Sequence, residues 1–250
     1  MKMKVFFIIL LIIITSSCYK YEDWYEKRDK DYAPSVDFDN LMDLHANGVD
    51  TLLINIYFPT QADRELVRAN LKIEEGTFIE SGEKQLSLSQ YTVDKNPSNK
   101  QSLKITARLK TSTKIGSHQL EIEVPEVFKT EYSINFFESL PSNIYVSAEK
   151  FAIEANYIDE IKFSAKVKAS RGLVHQGTKV YFTAADTILS NNILHFRELT
   201  TTNESGIATV QFTPGDLDGF RGTIPVVAYV YDENETRIAD TTYIRIVDPD

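Results

Sequence analysis

Cys18 is the only thiol in the chain, and its surroundings give it a chemistry. It follows Lys2, Lys4, an unbroken apolar run from Val5 to Ile14, and the small hydroxyl residues Thr15, Ser16 and Ser17. A basic start and ten apolar residues have the form of an export signal, whereas a spanning helix needs ~20 apolar residues. Small residues just upstream suit a peptidase that cuts before the cysteine, whose thiol then carries a diacylglycerol. The alternative is an ordinary cleaved signal that leaves Cys18 free.

The other candidates for chemistry are sparse. His45, His118, His175 and His195 are scattered without the short spacings of a zinc site, which makes surface or strand-end histidines the default. Asp216 and Asp218 alternate in the glycine-ended loop Asp216-Leu217-Asp218-Gly219 and are weak candidates for calcium, against a solvated hairpin turn. Asp-Thr triplets at Thr51, Thr187 and Thr241 resemble a short O-glycosylation motif that some Gram-negative bacteria use on exported proteins. The chain has no nucleophile elbow, phosphate-binding loop, dinucleotide fingerprint or zinc-protease helix motif. No catalytic residue and no cofactor are therefore expected, and the chain is read as non-enzymatic.

Thr15-Ser16-Ser17-Cys18 resembles a bacterial lipobox. That resemblance implies residues 1–17 as signal peptide and Cys18 as the lipidated first mature residue. Tyr19 in the second mature position, where aspartate marks retention at the inner membrane, implies an outer-membrane lipoprotein. Residues 18–40 are dense in charge and aromatics without sustained periodicity, and read as a flexible stalk. Tyr19, Tyr21, Trp24 and Tyr25 leave open a second use, docking on the membrane interface or on export machinery.

Composition bounds the rest. With 42% hydrophobic and 25% charged residues the chain is that of a folded protein, and its length suits one large or two small domains. The net charge of −9 is spread out, with no basic cluster to track a phosphate backbone, so nucleic acid is excluded as a partner. Without a second cysteine no intrachain disulfide is possible, and stability must come from cores and strand pairing.

Period-2 alternation dominates beyond residue 40. Leu103, Ile105, Ala107 and Leu109 share one face, as do Leu120, Ile122 and Val124, then Tyr132, Ile134 and Phe136, then Ile161, Phe163, Ala165 and Val167. The two halves also repeat. Ile54 matches Phe163 and Ile73 matches Phe182 at a spacing of about 109 positions, while Leu109 with Phe212, Gly116 with Gly222 and Ile134 with Ile244 keep nearly the same interval. A unit of that size made of short strands predicts an all-β protein, two tandem immunoglobulin-like β-sandwiches spanning 41–138 and 139–250. One segment stands apart: Thr60 as a cap, with Ala62, Leu66 and Ala69 near helical spacing, predicts a short helix within Pro59–Asn70 or an irregular connection with one helical turn.

Gly177-Thr178-Lys179-Val180-Tyr181-Phe182, followed by Thr200-Thr201-Thr202-Asn203-Glu204-Ser205-Gly206-Ile207-Ala208-Thr209-Val210, resembles the bacterial immunoglobulin-like domains of invasin- and intimin-type surface proteins. Ala46-Asn47-Gly48-Val49-Asp50-Thr51 looks like that family's opening turn before the first long strand. The resemblance implies spacer, adhesion or assembly modules at the cell envelope, with a protein or glycan partner there and the membrane held through the N-terminal lipid. The alternative is an accessory lipoprotein that captures glycans or peptides for a neighbouring transporter, with Tyr229, Tyr231 or Phe220 as stacking platforms.

Overall fold

Alternating side chains set the architecture. In a computed structural model, which describes residues 33–184, 197–215 and 220–249, the apolar members of each alternating run are buried. Two separate cores result. One is built from residues between Leu44 and Phe136, the other from residues between Ile144 and Ile246. Burial of these side chains at roughly 25 cal/mol per Å² is the main favourable term for each half.

In the first half, strands β1 (Ser35–Asp39), β2 (Thr51–Pro59) and β7 (Gln101–Lys110) run side by side, with β4 (Thr77–Phe78) and β6 (Thr92–Lys95) on the far edge of β7. The facing sheet has the order β5 (Gln85–Leu88), β3 (Ala69–Ile73), β8 (Gly116–Val124), β9 (Phe128–Phe136). In the second half, β10 (Asn143–Ala148), β12 (Ile161–Lys168) and β15 (Ile207–Phe212) face β11 (Ala152–Glu154), β17 (Arg237–Val247), β16 (Gly222–Tyr231), β13 (Lys179–Ala184) and β14 (Arg197–Thr201). The order β1-β2-β7 recurs as β10-β12-β15, and β9-β8-β3-β5 recurs as β17-β16-β13-β14. Ile54 and Phe163 lie on the equivalent strands β2 and β12, and Ile73 and Phe182 on β3 and β13, so the sequence repeat is a repeat of fold. The chain is two tandem immunoglobulin-like sandwiches.

Two expectations change. The first sandwich begins at Ser35, inside the segment 18–40 read as stalk. Val36 and Phe38 pack against the core, and Phe38 meets Tyr132 edge to face at 4.9 Å. Five residues interrupted by Asp37 and Asp39 carry too little alternation to announce a strand. Of the alternatives within 59–70, the irregular connection is the one formed. A single 3-10 turn spans Arg64–Leu66, capped by Asp63, whose carboxylate accepts the Glu65 N–H at 3.1 Å. Thr60 instead bonds Gln61, and Asn70 already belongs to β3. Ala62, Val67 and Ala69 are drawn into the core on either side of that turn, a spacing that one regular helix would not serve.

Candidate functional site

Asn47-Gly48 is the local signal from which the best-built site grows. Asn47 Oδ1 accepts the main-chain N–H groups of Val49 and Asp50 at 2.9 and 2.8 Å, closing a turn that Gly48 completes at φ +70°. This turn and the Thr113 loop beside it form the contact between the sandwiches. The Asn47 carbonyl accepts the Leu173 N–H at 2.9 Å, and the Thr113 carbonyl accepts the Gln176 N–H at 2.7 Å. Thr113 Oγ1 donates to the Glu204 carbonyl at 3.2 Å, and Ser139 Oγ in the connecting segment donates to the Leu173 carbonyl at 2.9 Å. Gly172 comes so close that a Cβ on it would lie 2.4 Å from the Asn47 carbonyl and 2.8 Å from Val49 Cγ2.

Asp50 is the charged centre of the joint. Its side chain is 6% exposed, Oδ2 accepts the His45 N–H at 3.0 Å, and the Arg171 guanidinium from the second sandwich stands 3.6 Å from Oδ1. Burial works to raise its pKa, but the Asn47 amide, the His45 N–H and the Arg171 charge outweigh it and hold the carboxyl below the usual aspartate value. A cleft of about 330 Å³ opens here, with Asp43, His45, Asp50, Glu138, Arg171 and Glu233 among its walls. On another side of the joint, Glu75 Oε1 meets Lys114 Nζ at 2.8 Å and its Oε2 meets Lys84 Nζ at 3.5 Å. Burial opposes ionisation of Glu75, and the two lysines overcome it and lower its pKa.

The residues singled out in the sequence do not converge. Cys18, Thr15, Ser16, Ser17, Thr187, His195, Asp216 and Asp218 lie outside the described residues. His45 stands at the joint, 3.4 Å from Asp50. His175 is also there, its Nδ1 3.1 Å from the Ser139 carbonyl, while His118 is buried against Phe136. Among the described residues no three His, Cys, Asp or Glu side chains come together to hold a metal. Thr51 is half-buried beside the joint, and Thr241 is exposed in the middle of β17. The aspartate before each threonine has structural work: Asp50 ties the joint, and Asp240 Oδ2 accepts the Val146 N–H at 2.8 Å, closing the edge of β10.

Of the aromatic candidates, Tyr229 stacks on Tyr181 at 5.0 Å and 11°, and Arg237 lies 4.1 Å over its ring from the strand on the other side. With both faces covered, Tyr229 cannot serve as a stacking platform for a sugar. Tyr231 remains about half exposed and meets both tyrosines edge-on. Phe220 is half-buried.

No protein-family model matches the chain. No curated protein matches it either. Among solved structures, the chain is similar to invasin, a bacterial integrin-binding protein, at 13% identity and a TM-score of 0.51, over 87% of this chain and 40% of that one. The Yersinia pseudotuberculosis adhesin InvE gives 14% identity and a TM-score of 0.43 over 87% of this chain and 59% of its own. A tetra-tandem repeat from the extending region of a large adhesion protein gives 17% and 0.42, over 86% and 49%. This chain spans about half the length of those it resembles. At such identities the likeness is one of fold, the class being the tandem immunoglobulin-like sandwich. No helix among the described residues is long and apolar enough to cross a membrane.

Proposed function

We propose that the chain is a non-enzymatic envelope lipoprotein, held by a lipid on Cys18 at the outer membrane, whose two sandwiches form a stiff spacer for adhesion or assembly. The observation that carries this reading is the joint. A loose tandem would need only a linker, whereas here two main-chain hydrogen bonds, an ion pair and a glycine at van der Waals limit tie one sandwich to the next. The chain reaches the first sandwich at Ser35, opposite Tyr57 on β2, at the end away from the joint. An anchor there would hold the second sandwich farther from the membrane than the first. The fold shared with invasin supports a spacer or adhesive role. On this reading, any O-linked glycan on a described triplet belongs on exposed Thr241 rather than on Thr51 beside the joint.

The test is fractionation of cells making the wild type and Cys18→Ser. The wild type should incorporate labelled fatty acid and sediment with outer membranes, and the variant should do neither. Unchanged labelling of the variant would sink the lipoprotein reading.

A further inference from the structure

The turn that grips the second sandwich is present twice. Asn156, about 109 positions after Asn47, accepts the N–H groups of Ile158 and Asp159 on its Oδ1 at 3.0 and 2.6 Å. Asn47 N–H donates to the His45 carbonyl at 2.8 Å, and Asn156 N–H donates to the Glu154 carbonyl at 2.9 Å. Ala46 N–H reaches the Phe137 carbonyl and Ala155 N–H the Val247 carbonyl, so both turns hang from the end of the last strand of their sandwich. The supporting loops match as well: Gly48 faces Thr113 in the first sandwich, and the Tyr157 ring lies against Gly215 in the second.

The first copy holds a neighbour through the Asn47 carbonyl, the Val49 side chain against Gly172, and Asp50 facing Arg171. The second copy faces solvent. Tyr157 and Ile158, in the places of Gly48 and Val49, are 80% and 86% exposed, and Phe151, whose carbonyl accepts the Arg245 N–H at the same end, is 90% exposed. Two large apolar side chains held out this far on a hydrogen-bonded turn, with a third exposed on the segment before β11, are what an interface core presents before its partner arrives. Asp159 has no ion pair among the described residues; Glu160 follows it in the chain, and the Glu154 carboxylate accepts the Asn156 side-chain N–H at 3.0 Å on the same turn.

We propose that this tip is a second docking grip, filled by the end of a third immunoglobulin-like sandwich that lies outside this sequence. The occupant presents what Arg171-Gly172-Leu173 presents to the first grip: a cation for Asp159, a glycine beside Ile158 and a free main-chain N–H for the Asn156 carbonyl. The proposal stands independently of the lipid anchor. A second copy of this chain is the wrong partner. The free end of its first sandwich carries Arg64-Glu65-Leu66-Val67 in the matching loop, with Val67 buried like Val174. Glu65 replaces the glycine, and the Leu66 N–H is already donated to the Asp63 carbonyl at 3.0 Å. An anionic membrane is opposed by the carboxylates of Glu154, Asp159 and Glu160 on the turn.

The probe is this chain's own second sandwich, whose near end fits the first grip. Residues 138–250 are appended after Val247, setting the probe's Arg171-Gly172-Leu173 loop against the Asn156 turn. The third sandwich should tumble with the other two in NMR relaxation, and Ile158→Asp should release it while the Leu173 amide of the first joint stays protected. Independent tumbling of the appended sandwich overturns the proposal. Ile158 is exposed, so thermal unfolding of the 250-residue Ile158→Asp variant should match the wild type. In cells of the source organism, a photo-crosslinker at Ile158 should join it to a β-sandwich loop from outside these 250 residues. A crosslink between two copies, a lipid adduct, or no adduct above that at Lys72 on a sheet face would each overturn it.

Discussion

The N–H of Leu173 donates to the carbonyl of Asn47 across the boundary between the two sandwiches, at 2.9 Å. A main-chain bond of this kind fixes two backbones against each other, since neither end can swing away on a side-chain torsion. It is worth about 0.5–1.5 kcal/mol net, and its loss leaves two polar groups to be resolvated. The residue before it decides whether the bond can form.

Gly172→Ala should therefore open the joint. The new methyl group would meet the Asn47 carbonyl and Val49 at 2.4 and 2.8 Å, on a residue at φ +71° that disfavours any side chain. The expected cost is about 1–3 kcal/mol of joint stability with both cores intact. Relaxation measurements should find the sandwiches reorienting separately, and calorimetry should split one transition into two. A variant that tumbles as one body would contradict the close approach.

The joint should also weaken in acid. The native pKa of Asp50 is lowered, so its contribution is fully present above the unfolded-state value of ~3.9 and is lost as pH falls through the lower native value. Glu75 acts in the same sense on another side of the joint. Urea midpoints should hold from neutral pH to about 5 and decline below ~4. Asp50→Asn should start lower at neutral pH and show a shallower acid limb. An identical limb in Asp50→Asn would assign the acid sensitivity elsewhere.

The fold was legible because buried strands advertise themselves. Ile161, Phe163, Ala165 and Val167 alternate in sequence and are fully buried in the structure, and the echo between Ile54 and Phe163 marks equivalent strands. β1 was hidden because five residues with two aspartates alternate too briefly. The Asn47 turn was readable as a turn, but nothing local told that its carbonyl and Asp50 would meet Leu173 and Arg171, far along the chain. The same echo places Asn156 on Asn47 and Asp159 on Asp50, so the tip was available to a reader who followed the repeat into the loops. Tyr229 looked like a platform because the cross-strand positions of Tyr181 and Arg237 are set by register, which sequence does not state.

Asp240 guards a sheet edge. Its Oδ2 accepts the Val146 N–H at 2.8 Å and its Oδ1 the N–H of Thr241, also at 2.8 Å. Asp240→Ala would leave the β10 edge with a bare donor, costing about 1–3 kcal/mol and speeding exchange at the Val146 amide. Aggregation on storage should rise, because an open edge recruits strands from other molecules. Unchanged exchange at Val146 would remove Asp240 from that role.

Phe163 is fully buried on β12, between β10 and β15, with Phe212 at 6.3 Å in the same core. Phe163→Ala should cost about 3–5 kcal/mol, through lost transfer energy and the cavity left behind. That damage is confined to the second core, since none of the first core's residues belongs to the same cluster. If the joint couples the sandwiches, Phe163→Ala should also lower the midpoint of the first, followed by hydrogen exchange at Ile105 on β7. Combining it with Gly172→Ala should restore that midpoint to the value of Gly172→Ala alone, because an opened joint no longer transmits the loss. Exchange at Ile105 that ignores Phe163→Ala in both backgrounds would mean that the hydrogen-bonded contact orients the sandwiches without sharing their stability.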